Sequence, residues 1–214
     1  MNELVIATRN AHKAVEIRSI LGSGWRCRTL VDFPNAPELI EDADSFGGNA
    51  TKKAVGLASW LARSNLGSVE LVLADDSGLD VDVLHGAPGV HSARFAAADV
   101  GASGNSPDAA NNAKLLRLLG GVPAVKRTAR FRCCLALMPV GPKAQGQRVE
   151  LFEGICEGRI GFEPHGRNGF GYDPLFIPEG YDLTFAELGE EAKNQISHRS
   201  RALAKLKVWL DRAK

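Results

Sequence analysis

Two short runs of uninterrupted apolar residues constrain the fold of this chain more than any other feature. Residues 4–7 are Leu-Val-Ile-Ala and residues 71–74 are Leu-Val-Leu-Ala, and the runs pass directly into polar residues at Thr8 and Asp75. A short apolar run that ends in this way is typical of a strand buried on both faces of a sheet. The two runs therefore predict buried strands with polar groups at their carboxyl ends.

Helical spacing follows the first run. Ala14, Ile17 and Leu21 lie on one helical face, and Gly22 is predicted to end that helix. A second helix is predicted over residues 46–63, with an apolar face formed by Ala50, Ala54, Leu57, Ala58 and Leu61. Strands and helices thus alternate in the first part of the chain, which indicates an α/β fold.

The remainder of the chain contains a predicted hairpin and further helices. Residues 75–78 are expected to end the second strand, and residues 79–84 alternate as a separate half-exposed strand would. Ser106 is predicted to cap a helix that begins at Pro107. Apolar residues alternate over residues 129–137 in a long strand, and residues 149–155 are its predicted hairpin partner. We expect a mixed sheet with two lobes and a cleft, within one domain of residues 1–214.

The charge balance limits the class of ligand. Lysine plus arginine number 26 and aspartate plus glutamate number 25 among 214 residues. Such a balance provides no field over the whole surface to attract a nucleic-acid backbone, so bound anions must be held by local groups. We therefore expect a small phosphorylated ligand and no nucleic-acid partner.

The cysteines and the N-terminal residues indicate the cellular compartment. None of the four cysteines forms a Cys-x-x-Cys pair, so we expect buried thiols rather than a zinc or redox motif. No signal peptide is visible at residues 1–8, and no apolar stretch approaches the roughly 20 residues of a membrane span. The sequence predicts a cytoplasmic protein without a membrane partner.

The first candidate site follows the first apolar run, where Thr8, Asn10 and Lys13 stand at a junction of strand and helix. The N–H groups and the dipole of a helix N-terminus favour phosphate, and Lys13 lies one turn inside the helix. An ordinary Asn-capped helix with a surface lysine would give the same pattern. The glycines of a Walker A loop are missing here.

The second candidate site is the pair Asp75 and Asp76, followed by Ser77 and Gly78. Carboxylates at the end of a buried strand lie where open α/β sheets bind ligands, and Mg²⁺ prefers a few carboxylates together with phosphate oxygens. A turn capped by aspartate remains the alternative. Glu41, in an acidic loop, is a possible second metal ligand or a solvated acid.

Two further clusters combine flat and cationic groups. Residues 166–174 interleave glycines with Phe170 and Tyr172, which suits a backbone close to a flat ligand or a loop pinned by aromatic rings. Lys193, His198 and Arg199 are placed at the start of the last helix, where the dipole disfavours cations unless a ligand offsets the cost. Solvated charge is the alternative for this second cluster.

Taken in order, these motifs resemble the inosine triphosphate pyrophosphatase family. The resemblance extends over essentially the whole chain and rests on T-x-N-x-x-K at residues 8–13, A-D-D-S-G-L at 74–79, S-A-R at 92–94, F-G-Y-D-P at 170–174 and K-x-x-x-S-H-R at 193–199. It implies an α/β fold with a long mixed β-sheet, two α/β lobes around a central nucleotide-binding cleft, and a homodimer. It also implies hydrolysis of nucleoside triphosphates such as ITP, dITP and XTP to the monophosphate and pyrophosphate, with Mg²⁺.

The resemblance assigns roles to individual residues. Asp76 would be the proton acceptor and, with Glu41, a magnesium ligand. The substrate-binding residues would be Thr8, Arg9, Asn10, Ala11, His12, Lys13, Lys53, Ser77, Phe170, Gly171, Tyr172, Asp173, Lys193, His198 and Arg199. Two positions depart from the pattern. Arg9 replaces a small residue, and Gly48-Asn49 replaces Glu-Asn, which removes any metal role for an acid at position 48.

Several alternatives stay open at this point. Asp75 and Asp76 are close enough to couple, so the residues alone do not decide which is the base. A pyrophosphatase for modified pyrimidine or methylated nucleotides is disfavoured by the Lys193, His198 and Arg199 cluster. A non-catalytic nucleotide sensor is disfavoured by the double acid, and a purely structural protein would leave the glycine and cation clusters unexplained.

Overall fold

The computed structural model describes residues 2–64, 69–102, 104–141, 146 and 148–212. The chain divides into two compact units, of which the first comprises residues 1–76, 133–154 and 201–214 and the second residues 77–132 and 155–200. In chain order the main elements are β1 (Asn2–Ile6), α1 (Ala11–Leu21), β2 (Trp25–Thr29), α2 (Phe46–Ser64), β3 (Leu71–Val81), α3 (Asp108–Leu118), β4 (Thr128–Pro139), β5 (Glu150–Ile160), β6 (Phe176–Pro178), α4 (Phe185–Ile196) and α5 (His198–Arg212).

Six strands form one sheet in the order β2-β1-β3-β4-β5-β6. Strand β1 runs parallel to both β2 and β3, with Leu4 opposite Cys27 on one side and Leu71 on the other. Strands β5 and β6 are antiparallel. The predicted mixed α/β architecture is confirmed.

The first unit buries both faces of its strands, as the continuous apolar runs predicted. Val5 and Val72 belong to a cluster with the apolar face of α2, whereas Leu4, Ile6 and Leu73 belong to a second cluster with α1 and α5. Alternate residues of a strand point to opposite faces, so helices on both sides require every position of the run to be apolar. The predicted helical faces of α1, α2 and α5 are buried.

The second unit has an aromatic core. The rings of Phe131 and Phe176 are 4.6 Å apart between centroids, and those of Phe176 and Phe185 are 5.3 Å apart. Leu79 and Leu115 are fully buried in the same cluster. Among the described residues, no helix is long and apolar enough to cross a membrane.

The predicted end of the second strand at residues 75–78 is wrong, because β3 continues from Leu71 to Val81 without interruption. Asp75 and Asp76 are 2% and 6% exposed inside this strand. Two buried carboxylates remain in a strand only when partners offset their desolvation, and those partners come from distant parts of the chain. The separate strand predicted at residues 79–84 is instead the end of β3, followed by a 3₁₀ turn, Asp82–Leu84.

Two helix starts also differ from the prediction. Helix α3 begins at Asp108, and the Ser106 hydroxyl accepts a hydrogen bond from the Ala97 N–H (2.7 Å) instead of capping that helix. Lys193 lies in the last turn of α4, and Ser197 in extended conformation separates it from α5. Only His198 and Arg199 therefore stand at a helix start, while the dipole of α4 favours Lys193 where it is.

Local contacts set both ends of α1 and the start of α4. Asn10 caps α1 by accepting from the Lys13 N–H, and Gly22 ends that helix with φ +75°. Thr184 and Glu187 form the reciprocal capping box expected of their spacing at the start of α4.

Candidate active site

In the first unit, the polar segment between β1 and α1 is ordered by its own side chains. The Thr8 hydroxyl accepts from the Asn10 N–H (3.0 Å), and Asn10 Oδ1 accepts from the Lys13 N–H (3.1 Å). Arg9, Asn10, Ala11 and His12 are exposed, as is required of groups that receive a ligand. The segment thus presents the start of α1, whose N–H groups favour an anion.

Lys13 is directed to the fully buried carboxylate of Asp75. Its Nζ lies 2.6 Å from Asp75 Oδ1, and the side chains are 17% and 0% exposed. The Cys133 thiol approaches the other oxygen, Oδ2, at 3.3 Å. Because the Asp75 side chain is fully buried and both of its oxygens have donors within the protein, its role is to hold Lys13 in place.

Lys53, from α2, lies at the centre of what we call the acidic cluster (Lys13, Glu41, Lys53, Asp75 and Asp76). Its Nζ is 2.9 Å from Glu41 Oε1, 3.3 Å from Asp76 Oδ1 and 2.8 Å from the Asp75 carbonyl oxygen. Burial alone lowers the pKa of Lys53, but the carboxylates of Asp76 and Glu41 outweigh it, and the net pKa is raised. The ammonium therefore stays charged.

Asp76 is held by two different donors. Lys53 contacts Oδ1, and the amide Nδ2 of Asn49 donates to Oδ2 at 3.1 Å. Burial raises the pKa of Asp76, and the nearby Lys53 and Lys13 offset only part of that effect. Ionisation of Asp76 is therefore less favourable than that of an exposed aspartate, as is common for catalytic acids and bases.

Asp76 and Glu41 fit the requirements of Mg²⁺. Both carboxylates reach the same Lys53 ammonium, so they converge on one point where a cation is already accommodated. The described residues contain no group of three or more His, Cys, Asp or Glu side chains that could hold a metal alone. A magnesium ion that shares its remaining positions with water and phosphate oxygens needs only one or two carboxylates.

The second unit contains what we call the cationic cluster (Asp173, Lys193, His198 and Arg199). Lys193 Nζ lies 2.6 Å from Asp173 Oδ2, with side chains only 4% and 2% exposed. The same oxygen accepts from the Phe170 N–H (2.9 Å), and Lys193 Nζ sits 4.4 Å from the centroid of the Phe170 ring. The ring, the acid and the cation are therefore fixed together.

Arg199 and His198 are buried beside this pair. Arg199, 1% exposed, donates from Nη2 to the Ser77 hydroxyl at 2.9 Å. The His198 ring stacks on Phe131 with centroids 4.8 Å apart and an angle of 15° between the planes. The structure thus joins the predicted Ser77, Lys193, His198 and Arg199 in one unit.

Helix α3 and neighbouring backbone hold the glycine-aromatic loop. Asp108 accepts from the Gly171 N–H (2.6 Å), and Asn112 donates to the Gly171 carbonyl oxygen (3.0 Å). The Tyr172 hydroxyl donates to the Ser92 carbonyl oxygen, and burial raises its pKa. Tyr172 therefore anchors the loop in the core. Its hydroxyl, in a residue predicted to bind a ligand, is directed inward.

A glycine is required at position 169. Its φ is +77°, and a Cβ there would stand 2.2 Å from Asp173 Oδ2. Any side chain would displace the carboxylate that holds Lys193. Gly169 therefore leaves the space that the Lys193–Asp173 ion pair occupies.

Sequence reasoning missed several residues that hold these groups. Asn49 was assigned no role, since only its neighbour Gly48 departs from the family pattern, yet it contacts Asp76. Cys133 contacts Asp75. Asp108 and Asn112 were not identified as supports of the loop. A polar residue on an otherwise apolar helical face, as Asn49 is on α2, was the one available signal.

Known proteins share the sequence and the fold of this chain. The Ham1 family model matches residues 4–209. The chain belongs to the Ham1 family. Curated relatives that resemble this Ham1-family chain include a dITP/XTP pyrophosphatase of Shouchella clausii, 47% identical over 99% of this chain and 98% of that protein. Another, from Desulforamulus reducens, has the same description and is 48% identical over 98% of this chain and 96% of its own length.

Solved structures agree with this assignment. The Staphylococcus aureus Ham1 protein superposes with a TM-score of 0.81 at 34% identity, with full coverage of both chains. A nucleoside-triphosphatase / dITP/XTP pyrophosphatase of Mycobacterium abscessus gives a TM-score of 0.70 at 39% identity, covering 95% of this chain and 98% of that one. The predicted family is confirmed.

Proposed function

We propose that this chain hydrolyses non-standard purine nucleoside triphosphates (ITP, dITP and XTP) to the monophosphate and pyrophosphate. The observation that carries the proposal is the acidic cluster, in which Asp76 is buried, oriented by two donors and adjacent to Glu41. It occurs in a chain 47% identical over 99% of its length to a protein described as a dITP/XTP pyrophosphatase.

The triphosphate is proposed to bind at the start of α1. The exposed residues 9–12 and the N–H groups of the first turn face an incoming anion, and Lys13 stands at their edge. Because the Lys13 ammonium has three protons and one is used by Asp75, the others can reach phosphate oxygens. Thr8 and Lys53 complete the set of proposed phosphate contacts.

Asp76 is proposed as the proton acceptor for the attacking water. Its Oδ1 and Oδ2 are held by Lys53 and Asn49, so a water at this carboxylate would be presented in a fixed direction. Magnesium, with Asp76 and Glu41 as protein ligands, would supply charge neutralisation on the phosphate oxygens and lower the pKa of water. Asp75 is not chosen as the base because its side chain is 0% exposed, whereas that of Asp76 is 8% exposed.

The cationic cluster is proposed to read the base. Hypoxanthine and xanthine have an oxygen acceptor at position six, where adenine has an amino donor. Lys193 and Arg199 offer only donors, and His198 can donate from a ring nitrogen, so the six-oxo group is favoured. Because Lys193 is paired with Asp173, adenine would not leave this lysine unpaired, and discrimination falls chiefly on Arg199 and His198.

The remaining proposals concern the state of the protein. We propose a homodimer in the cytoplasm that uses Mg²⁺ and has no nucleic-acid or membrane partner. The near-equality of 26 basic and 25 acidic residues supports the exclusion of a nucleic-acid partner.

Pyrophosphate release from ITP, dITP, XTP, ATP and GTP, measured with and without Mg²⁺, tests the proposed function. We expect rapid release from the first three only, and only with the metal. ATP lacks the six-oxo group, and GTP, which has it, must be excluded through its two-amino group. Phosphorus NMR of the products should show a monophosphate and pyrophosphate. A diphosphate with orthophosphate, or equal rates on ATP and ITP, would contradict the proposal.

A further inference from the structure

We infer that Asn49 positions two acids of the acidic cluster, Glu41 and Asp76, relative to each other, and that Gly48 makes this possible. The inference rests on the proposed function, in which Asp76 and Glu41 act together. It assigns to α2 a second role beyond presenting Lys53.

The Asn49 side chain is fully buried, and both of its ends make hydrogen bonds. Oδ1 accepts from the Ala43 N–H at 2.8 Å, and Nδ2 donates to Asp76 Oδ2 at 3.1 Å. Only this orientation of the amide satisfies both neighbours, since an N–H needs an acceptor and a carboxylate needs a donor. One side chain therefore joins the segment that contains Glu41, two residues before Ala43, to Asp76.

Gly48 allows that segment to approach α2. A Cβ at position 48 would stand 2.7 Å from the Ala43 Cβ and 3.0 Å from the Ser45 Oγ. Carbon atoms do not approach so closely, so any side chain here would push residues 43–45 away from the helix. The Gly48 N–H also donates to Ser45 Oγ (3.1 Å), which docks the segment on the first turn of α2.

Asn49 and Lys53 lie on one face of α2 and have different roles. They are four residues apart, so their side chains project from the same side of α2. Lys53 contacts Glu41 and Asp76 Oδ1 and neutralises part of their charge. Asn49 contacts Asp76 Oδ2 and the Ala43 N–H, and it fixes the orientation of the Asp76 carboxylate. If a cation displaced Lys53, Asn49 would still hold Asp76 directly and the Glu41 segment through the Ala43 N–H.

The inference is tested with Asn49→Ala and Asn49→Asp. Asn49→Asp keeps an acceptor for Ala43 but places a carboxylate against Asp76. Ala58→Gly, a change at a buried position of the same helix within its aliphatic cluster, is the matched control for loss of stability. Two quantities are measured: Mn²⁺ binding without substrate, by electron paramagnetic resonance, and kcat and KM for pyrophosphate release from ITP.

We expect both Asn49 variants to bind Mn²⁺ about 10-fold or more weakly and to lose roughly 10–100-fold in kcat, the range seen when groups supporting metal ligands are removed. KM for ITP should change little, because Asn49 is not among the residues proposed to contact the nucleotide. The Ala58→Gly variant should keep wild-type Mn²⁺ affinity. Asn49 variants that match Ala58→Gly in Mn²⁺ affinity and kcat would overturn the inference.

Gly48→Ala provides an independent test. It adds only the Cβ that would collide with Ala43, so displacement of residues 43–45 predicts weaker Mn²⁺ binding. Unchanged or tighter binding would overturn the role given to Gly48. If the wild-type protein released no pyrophosphate from any triphosphate, the proposed function would fail, while the Mn²⁺ titrations would still decide the role of Asn49.

Discussion

The acidic cluster of the first unit and the cationic cluster of the second differ in how their charges are arranged. In the acidic cluster three carboxylates face two lysines, and Lys53 contacts two of those carboxylates. In the cationic cluster a single carboxylate, Asp173, holds Lys193 beneath the ring of Phe170, and Arg199 contacts a neutral hydroxyl. The first cluster has an excess of negative charge and the second an excess of positive charge.

That difference indicates different tasks. Contacts between several acids and shared lysines can be exchanged for contacts with a metal and with phosphate oxygens, since the partners have equivalent charges. A fixed buried ion pair beside an aromatic ring exchanges less readily and offers a flat surface with donors at its edge. Variants in the first cluster should therefore affect the chemical step, and variants in the second should affect substrate choice or stability.

The largest expected effect comes from the acidic cluster. Asp76→Asn removes the proposed proton acceptor, and we expect kcat to fall by about 10³-fold, within the range for general base catalysis. Pyrophosphate release at saturating Mg²⁺ measures it, with thermal unfolding as the control for folding. A variant that kept most of the wild-type rate would show that Asp76 is neither the base nor an essential ligand.

A smaller and more selective effect is expected from the cationic cluster. Arg199→Ala should lower kcat/KM for ITP by about 10²-fold, because a buried donor for the six-oxo group is lost, while the already low activity on ATP changes little. The measurement is the ratio of kcat/KM for the two substrates. Equal proportional losses would mean that Arg199 supports phosphate binding or structure, and the proposed division between the clusters would be wrong.

The buried pair of the cationic cluster should affect stability more than an exposed one. Asp173→Asn leaves Lys193 buried without its counter-ion, and we expect a loss of about 3 kcal/mol in the free energy of unfolding. Asp42→Asn, which breaks the exposed pair with Lys52, is the control and should leave urea unfolding unchanged. Similar midpoints for both variants would indicate that the Lys193–Asp173 pair is not essential for the fold.

The smallest expected effect is a displacement of the pH profile. Burial raises the pKa of Asp76, so the ionised form is lost on acidification at a higher pH than for an exposed aspartate. A cation bound at the carboxylate favours ionisation, and the acidic limb of kcat/KM should therefore move to lower pH as Mg²⁺ is raised. A limb that is independent of Mg²⁺ would argue against direct contact between Asp76 and the metal.

Much of the fold could be predicted from short stretches of the chain. The apolar runs of β1 and β3 indicated strands buried on both faces, and the spacing of Ala14, Ile17 and Leu21 indicated α1. Caps such as Asn10 and the Thr184–Glu187 box involve residues three apart, so their geometry follows from local sequence. The order of the motifs identified the family, since their combination is far more specific than any one of them.

Tertiary structure alone decided where β3 ends and how the acids are held. Local sequence made a turn at Asp75 and Asp76 reasonable, because two unpaired carboxylates would not be buried in a strand. Their partners Lys13, Lys53 and Asn49 lie 62, 23 and 27 residues away in the chain. Whether a charge can be buried depends on donors that only the folded chain brings together, and no local pattern contains that information.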